Sequence, residues 1–134
     1  MLKPAEVTEV PGLTPKEREA LQAYINALLE ALPDQVVRII LYGSKARGEG
    51  TPESDIDLMV VIRNGEERRP DGLWTSLMFD PMWEIIVDIA NDVLLDQGVL
   101  ISPFVIGEQR FKHGSLLTKS VQREGIELWP RPEK

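Results

Sequence analysis

The stretch that decides the fold is Gly43-Ser44-Lys45-Ala46-Arg47-Gly48, followed after a short polar loop by Ser54-Asp55-Ile56-Asp57-Leu58. The β-branched run Val36–Tyr42 leads into it, and the run Asp55–Ile62 continues from its second half. β-branched and apolar runs of this length are typical of buried strands, so the pattern predicts two strands. The connection between them, Lys45–Ser54, is polar and contains glycine, and we expect a short helical turn at its start.

Asp55 and Asp57 open the second predicted strand, and their spacing puts both carboxylates on one face of it. Ile56 lies between them and faces the opposite side, where it can join the core. Two neighbouring carboxylates repel each other unless a cation lies between them. Mg²⁺ typically binds one or two carboxylates together with substrate phosphates, and Mn²⁺ accepts similar oxygen ligands. The pair is therefore a candidate metal site, although an isolated Asp-x-Asp is more often a solvated turn.

The residues around Gly43 suit a phosphate group. Gly43 has no side chain, so a phosphate can approach the backbone closely. Ser44 begins the helical turn, where its hydroxyl and the nearby amides can bind a phosphate oxygen. Arg47 follows three residues later and shares that face, and its guanidinium can hold a phosphate with two hydrogen bonds. Lys45 is expected to be a solvated charge. A phosphate site opposite a metal site predicts metal-assisted phosphoryl transfer.

The paired pattern resembles the signature of the minimal nucleotidyltransferases of the DNA polymerase β superfamily. In bacteria and archaea many of these domains are antitoxin-like partners of HEPN-domain proteins. The resemblance implies an α/β (α+β) fold similar to the polymerase palm, in which a small mixed sheet is flanked by helices. It covers about 20 residues sharply and the rest of the chain more loosely.

The resemblance also implies roles for individual residues. Gly43 and Ser44 would hold the β- and γ-phosphates of ATP or another nucleoside triphosphate, with Arg47 supporting the loop or the phosphates. Asp55 and Asp57 would be catalytic and would ligate Mg²⁺ or Mn²⁺. A hydroxyl, expected on a partner protein such as a HEPN-type toxin, would attack the α-phosphate and release pyrophosphate.

One departure from the family pattern opens an alternative. The full family site has a third carboxylate on the next strand, which here is expected at Val99–Ile106. That run contains no Asp or Glu, and Ser102 is its only polar candidate. Activity is then slow, or depends on a carboxylate from Glu108 or from a partner, or is lost. In the last case the protein is a binding module that neutralises a partner by forming a complex.

The remaining segments predict helices and strands in the order α-β-β-α-β-α. Pro103 cannot donate to a strand ladder, so the third strand is expected at a sheet edge or with a bulge. Residues 1–13 are interpreted as a loose N-terminal arm. The other boundaries are a helix from the cap Thr14 to Pro33, a turn at Asn64-Gly65, a helix from the cap Asp80 to Gly98, a helix from the cap Ser115 to about Arg123, and a short strand at 126–129.

Composition limits the function classes. The chain has 134 residues and a net charge of −7 at pH 7, and we expect one domain spanning residues 1–134. It has no cysteine, which excludes disulfides, zinc–thiolate sites and a cysteine nucleophile. An acidic chain is poorly suited to extended nucleic-acid binding, and no apolar run is long enough to span a membrane. We therefore expect a cytoplasmic protein.

Two further segments have open interpretations. The charged run Glu66–Arg69 is expected to be a solvated loop. The apolar stretch from Leu73 to Trp83 is interpreted first as core. Because Trp and Met are enriched at interfaces, a surface around Trp74 and Trp83 that binds a partner or a second copy is the alternative.

Overall fold

The computed structural model describes residues 2–51, 53–63, 66–77 and 80–130. These residues form five strands and five α-helices, with one 3₁₀ turn at Val7–Glu9. The strands are β1 (Lys3–Pro4), β2 (Val36–Tyr42), β3 (Ile56–Ile62), β4 (Ile101–Gly107) and β5 (Ile126–Trp129). The helices are α1 (Pro15–Ala31), α2 (Ser44–Arg47), α3 (Pro81–Gln97), α4 (Glu108–His113) and α5 (Leu116–Glu124). Among the described residues, every helix is too short or too polar to span a bilayer.

Local sequence signals define both long helices. At the start of α1, the Thr14 hydroxyl accepts from the Glu17 amide at 3.1 Å while the Glu17 carboxylate accepts from the Thr14 amide at 2.9 Å. Reciprocal bonding of this kind satisfies amides that a helix start leaves unpaired. Asp80 caps α3 through the Met82 amide at 2.8 Å, and Gly98 ends α3 in the left-handed conformation. The predicted caps of both helices are confirmed.

The strands form one mixed sheet in the order β1-β5-β2-β3-β4. β2 runs antiparallel to β3 and to β5, whereas β3 pairs in parallel with β4. β4 is therefore an edge strand, which confirms the expectation based on Pro103. The predicted small mixed sheet flanked by helices is also confirmed.

The sheet has two covered faces. One face packs with α1 and α3 and includes Leu41, Ile56 and Leu58. The other face includes Ile40 and Met59, which cluster with Phe111 of α4 and Val121 of α5. Side chains alternate along a strand, so Asp57 shares the second face with Met59 and lies away from α1 and α3.

Several expectations are wrong. Residues 2–13, the described part of the predicted loose arm 1–13, are attached to the fold, because β1 pairs with β5 and Val7, Val10 and Leu13 are buried in the core. Lys45 is not solvated but is buried in an ion pair. The sequence pattern also missed α4, which is a single short segment of six residues without an apolar stripe.

The charged run at 66–69 is not simply a solvated loop. The Glu66 carboxylate is buried and accepts from the Gly107 amide at 2.7 Å and from Arg110 at 2.9 Å. It therefore attaches this segment to the end of β4. The Asn64-Gly65 turn that the sequence predicts lies outside the described residues.

Candidate active site

Gly43 and Asp57 face each other across the strand pair. Asp57 lies opposite Tyr42 in the antiparallel register, and Gly43 follows Tyr42 directly. Gly43 has φ +75°, a backbone conformation that residues other than glycine adopt only with strain. A Cβ added at Gly43 would lie 2.6 Å from Oδ2 of Asp57. The turn and the carboxylate are therefore in direct contact, as the sequence pattern requires.

Asp55 lies next to this contact but outside the strand, since β3 begins at Ile56. Its side chain is exposed and accepts a hydrogen bond from Oγ of Ser102 at 3.1 Å. Ser102 is the β4 residue opposite Asp57 in the parallel register. The two aspartates and Ser102 therefore form one cluster at the start of β3 and β4.

The electrostatics of the cluster favour a cation. Partial burial raises the pKa of the Asp57 carboxyl above its ordinary value, and the neighbouring charge of Asp55 raises it further. Both effects mean that ionising the two carboxylates costs free energy unless a cation neutralises part of their charge. Two neighbouring carboxylates are a suitable donor set for Mg²⁺ or Mn²⁺, which complete their coordination with water or phosphate oxygens.

A third carboxylate does not join this pair among the described residues, which contain no cluster of three metal-binding side chains. Glu108 follows Gly107, and Gly107 pairs with Ile62 at the far end of β3. Gly107 lies five residues further along the strand than Ser102, a span of roughly 16 Å. Glu108 therefore cannot complete the site, and Ser102 occupies the position where the family carboxylate was expected.

Ser44 and Arg47 both lie on α2, but they differ in surroundings. Ser44 begins the helix directly after Gly43 and is half-buried. Arg47 is exposed, and its guanidinium contacts Glu49 at 3.0 Å and Glu124 at 3.5 Å. The hydrogen bond with Glu49 is the main reason that the pKa of Arg47 is raised. The structure thus brings Ser44 to the turn, whereas it directs Arg47 to two carboxylates rather than to the aspartate pair.

One cavity opens at the site, and a second lies toward the other end of β4, where Val105 and Arg110 contribute to its lining. A cleft of about 380 Å³ opens beside Asp55 and is lined in part by Ser54, Leu94 and Leu100. A groove of about 500 Å³ runs between the segment 72–77 and α3, with Trp74 and Trp83 on its walls.

The predicted apolar stretch is divided between core and this groove. Leu77 is buried and Trp83 packs against the core, whereas Leu73 is 60% exposed. Met78 and Phe79, which belong to the same stretch, lie outside the described residues. The core interpretation therefore holds for part of the stretch, and the surface around Trp74 stays a predicted interface.

A mixed sheet that sets a glycine–serine turn against an aspartate pair is typical of a transferase that acts on nucleotides. A family model described as nucleotidyltransferase domain matches residues 21–123, and the chain belongs to this family. It is a nucleotidyltransferase, and the resemblance to minimal nucleotidyltransferases is confirmed.

The chain is similar to curated proteins from Methanocaldococcus jannaschii. It is 32% identical to the candidate protein adenylyltransferase MJ0604 over 95 residues, which cover 71% of this chain and 78% of that protein. It is 29% identical to the candidate protein adenylyltransferase MJ1305 over 86 residues, 64% of this chain and 52% of that protein.

A solved structure is also similar. The crystal structure of a candidate nucleotidyltransferase from Sulfolobus solfataricus aligns with 88% of this chain and 90% of its own, at 17% identity and a TM-score of 0.44. This structural match is distant, and the family assignment rests on the sequence matches.

Proposed function

We propose that this protein transfers AMP from ATP to a hydroxyl group on a partner protein, in a reaction that depends on Mg²⁺ or Mn²⁺. The observation that carries the proposal is the contact between Gly43 and the Asp57 carboxylate, with Asp55 beside it. The names of the similar archaeal proteins, which describe protein adenylyl transfer, support ATP as the donor and a protein as the acceptor.

In the proposed reaction, each residue of the site has a separate task. Gly43 and Ser44 bind the β- and γ-phosphates, and Asp55 and Asp57 would hold the metal next to the α-phosphate. A bound divalent ion would neutralise charge on the phosphates and orient them. For Arg47 to assist, its guanidinium must exchange Glu49 and Glu124 for phosphate oxygens. Surface ion pairs are weak enough for such an exchange.

The proposed reaction exchanges one phosphorus–oxygen bond for another. The acceptor oxygen forms a bond to the α-phosphorus, and the bond from that phosphorus to the oxygen bridging to the β-phosphate breaks. Pyrophosphate leaves with the electron pair of the broken bond. Because the described residues bring no third carboxylate to the pair, we assign the acceptor proton to solvent water. General base catalysis typically contributes about 10²- to 10⁴-fold, so transfer should be slow for this family.

The partner is proposed to be a HEPN-type toxin encoded next to this gene, with both proteins in the cytoplasm. The test incubates this protein and the product of the adjacent gene with Mg²⁺ and ATP labelled at the α-phosphate. Label on a hydroxyl side chain of the partner, lost in Asp57→Ala, supports the proposal. If no label is transferred and Asp57→Ala behaves as the wild type does, the proposal fails.

The missing third carboxylate favours a second candidate, a binding module that neutralises the partner by complex formation alone. The groove at Trp74 and Trp83 is the surface that this candidate would use. The variants Asp55→Ala and Asp57→Ala distinguish the two candidate functions. If these variants still bind the partner but no longer neutralise it, binding alone is not the mechanism.

A further inference from the structure

Lys45 and Glu17 form a buried ion pair beside the turn that begins at Gly43. The Lys45 ammonium lies 2.5 Å from Oε2 of Glu17, and the two residues are 2% and 6% exposed. The same ammonium donates to the backbone carbonyl of Thr51 at 2.7 Å. Lys45 lies inside the turn that begins at Gly43, and Thr51 lies on its return path. One buried side chain therefore ties the outgoing and the returning halves of the turn together.

The Glu17 carboxylate joins this turn to the start of α1. Its Oε1 accepts from the Thr14 amide at 2.9 Å, while Oε2 accepts from Lys45. Burial alone would raise the pKa of the Glu17 carboxyl, but the hydrogen bonds from Lys45 and Thr14 outweigh it and lower the pKa. The carboxylate is therefore charged at neutral pH and holds two separate elements at once.

Two glycines leave the space that this arrangement needs. A Cβ at Gly50 would lie 2.6 Å from Cδ of Lys45, so the returning chain passes directly over the lysine stem. A Cβ at Gly12 would lie 2.2 Å from the Lys45 carbonyl oxygen. The turn is thus closed tightly around Lys45, and a displacement of the lysine would displace the turn.

Stability alone does not explain a charged pair at this position. Burying two charges costs about as much free energy as their attraction returns, and apolar residues of similar volume are often as stable. What an apolar pair cannot do is hold the Thr51 carbonyl by a directed hydrogen bond. The ion pair therefore gives the turn a fixed position rather than extra stability.

We propose that the Lys45–Glu17 pair positions the turn from Gly43 to Thr51 so that Gly43 and Ser44 stay opposite Asp57 and bind a triphosphate. This proposal rests on the proposed function. Lys45 is a positioning residue and does not touch the nucleotide, because its buried ammonium is already bonded to Glu17 and Thr51.

The test uses the double substitution Lys45→Met with Glu17→Gln. Methionine keeps an unbranched stem, and glutamine keeps an acceptor for the Thr14 amide, but the tie to Thr51 is lost. The probes are ATP and inorganic tripolyphosphate, each with Mg²⁺, measured by titration calorimetry. Both Kd values should rise about tenfold or more, while circular dichroism shows a melting temperature close to that of the wild type. In label transfer, KM for ATP should rise more than kcat falls.

The control is Lys119→Met, the same substitution at an exposed position of α5, which should leave both Kd values unchanged. If the double variant binds both probes as the wild type does, the positioning proposal is refuted. If the double variant does not fold, Gly50→Ala, which pushes on the lysine stem, must give the same rise in both Kd values. If the wild type binds neither probe, the proposed function fails and the positioning proposal fails with it.

Discussion

Replacing Ser102 with aspartate tests the chemistry of the site most informatively. Ser102 lies opposite Asp57 in the sheet, and its hydroxyl is 3.1 Å from Oδ2 of Asp55. The substitution supplies a carboxylate at the position where the family pattern expects one. If the missing general base slows transfer by about 10²- to 10⁴-fold, recovering even part of that effect raises kcat about tenfold or more. A tenfold gain corresponds to about 1.4 kcal/mol of transition-state stabilisation.

The same substitution has a cost that the structure predicts. A third negative charge about 4 Å from Asp55 adds a repulsion of about 1 kcal/mol if solvent screens it fully and about 4 kcal/mol at a typical protein surface. Without divalent metal, Ser102→Asp should therefore melt several degrees below the wild type, and Mg²⁺ should recover most of the difference.

The assay is the initial rate of label transfer from α-labelled ATP at saturating Mg²⁺, with melting curves recorded in Mg²⁺ and in a chelator. Ser102→Asn is the matched control, because asparagine has the shape of aspartate without its charge. We expect Ser102→Asp to transfer label faster than the wild type and Ser102→Asn to transfer it no faster. A folded Ser102→Asp variant that transfers label no faster than the asparagine control refutes the assignment of this position.

Three further predictions concern the turn and its carboxylates. Gly43→Ala should weaken the binding of Mg²⁺ with ATP about tenfold or more, because its Cβ would meet Asp57 Oδ2 at 2.6 Å and because φ 75° with ψ −157° is a backbone conformation essentially restricted to glycine. Gly48→Ala is the milder comparison, since Gly48 is in the left-handed helical region, where alanine costs about 1–2 kcal/mol, and its Cβ would meet nothing within 4 Å among the described residues. Binding that falls equally in both alanine variants would show that the contact with Asp57 is unimportant. Asp57→Asn should raise the melting temperature in the absence of metal and abolish the stabilisation by Mg²⁺. The folded-state pKa of Asp57 is raised, so ionised Asp57 destabilises the fold as pH rises through that pKa. A lower melting temperature of Asp57→Asn in chelator would contradict this prediction. Glu17 has a lowered folded-state pKa, so its contribution to stability is present above the pKa of the unfolded state and is lost as pH falls through the folded value. Glu17→Gln should cost about 3–5 kcal/mol of unfolding free energy at pH 7, because one partner of a buried pair is left alone. This difference from the wild type should shrink below about pH 4. A difference that stays constant with pH would be the contrary result.

Local signals made much of the fold predictable. The caps of the long helices act within a few residues of the chain. Thr14 and Glu17 begin α1, whereas Asp80 begins α3 and Gly98 ends it. Pro103 predicted that β4 lies at an edge or carries a bulge, because proline has no amide to donate in the middle of a sheet, and β4 is an edge strand. The contact between Gly43 and Asp57 follows from two adjacent strands, so the spacing in the sequence was sufficient to predict it.

The parts that were not predicted depend on distant residues. The burial of Lys45 requires Glu17, which is 28 positions away, and a charged residue in a polar loop gives no signal of such a partner. Val7, Val10 and Leu13 are buried in the core, but Pro11 and Gly12 interrupt their segment, and three apolar residues are too few to predict a helix or a strand that packs there. The same limit applies to Arg47, whose partner Glu124 lies on the last helix.

We propose that Asp55 and Asp57 share one divalent ion with a triphosphate bound at Gly43 and Ser44. The most direct measurement is a crystal structure with Mn²⁺ and a non-hydrolysable ATP analogue, in which anomalous scattering locates the metal. We expect one Mn²⁺ peak bonded to both aspartates and to phosphate oxygens, with the terminal phosphates against Gly43 and Ser44. Manganese bound elsewhere, or a triphosphate away from this turn, would contradict it.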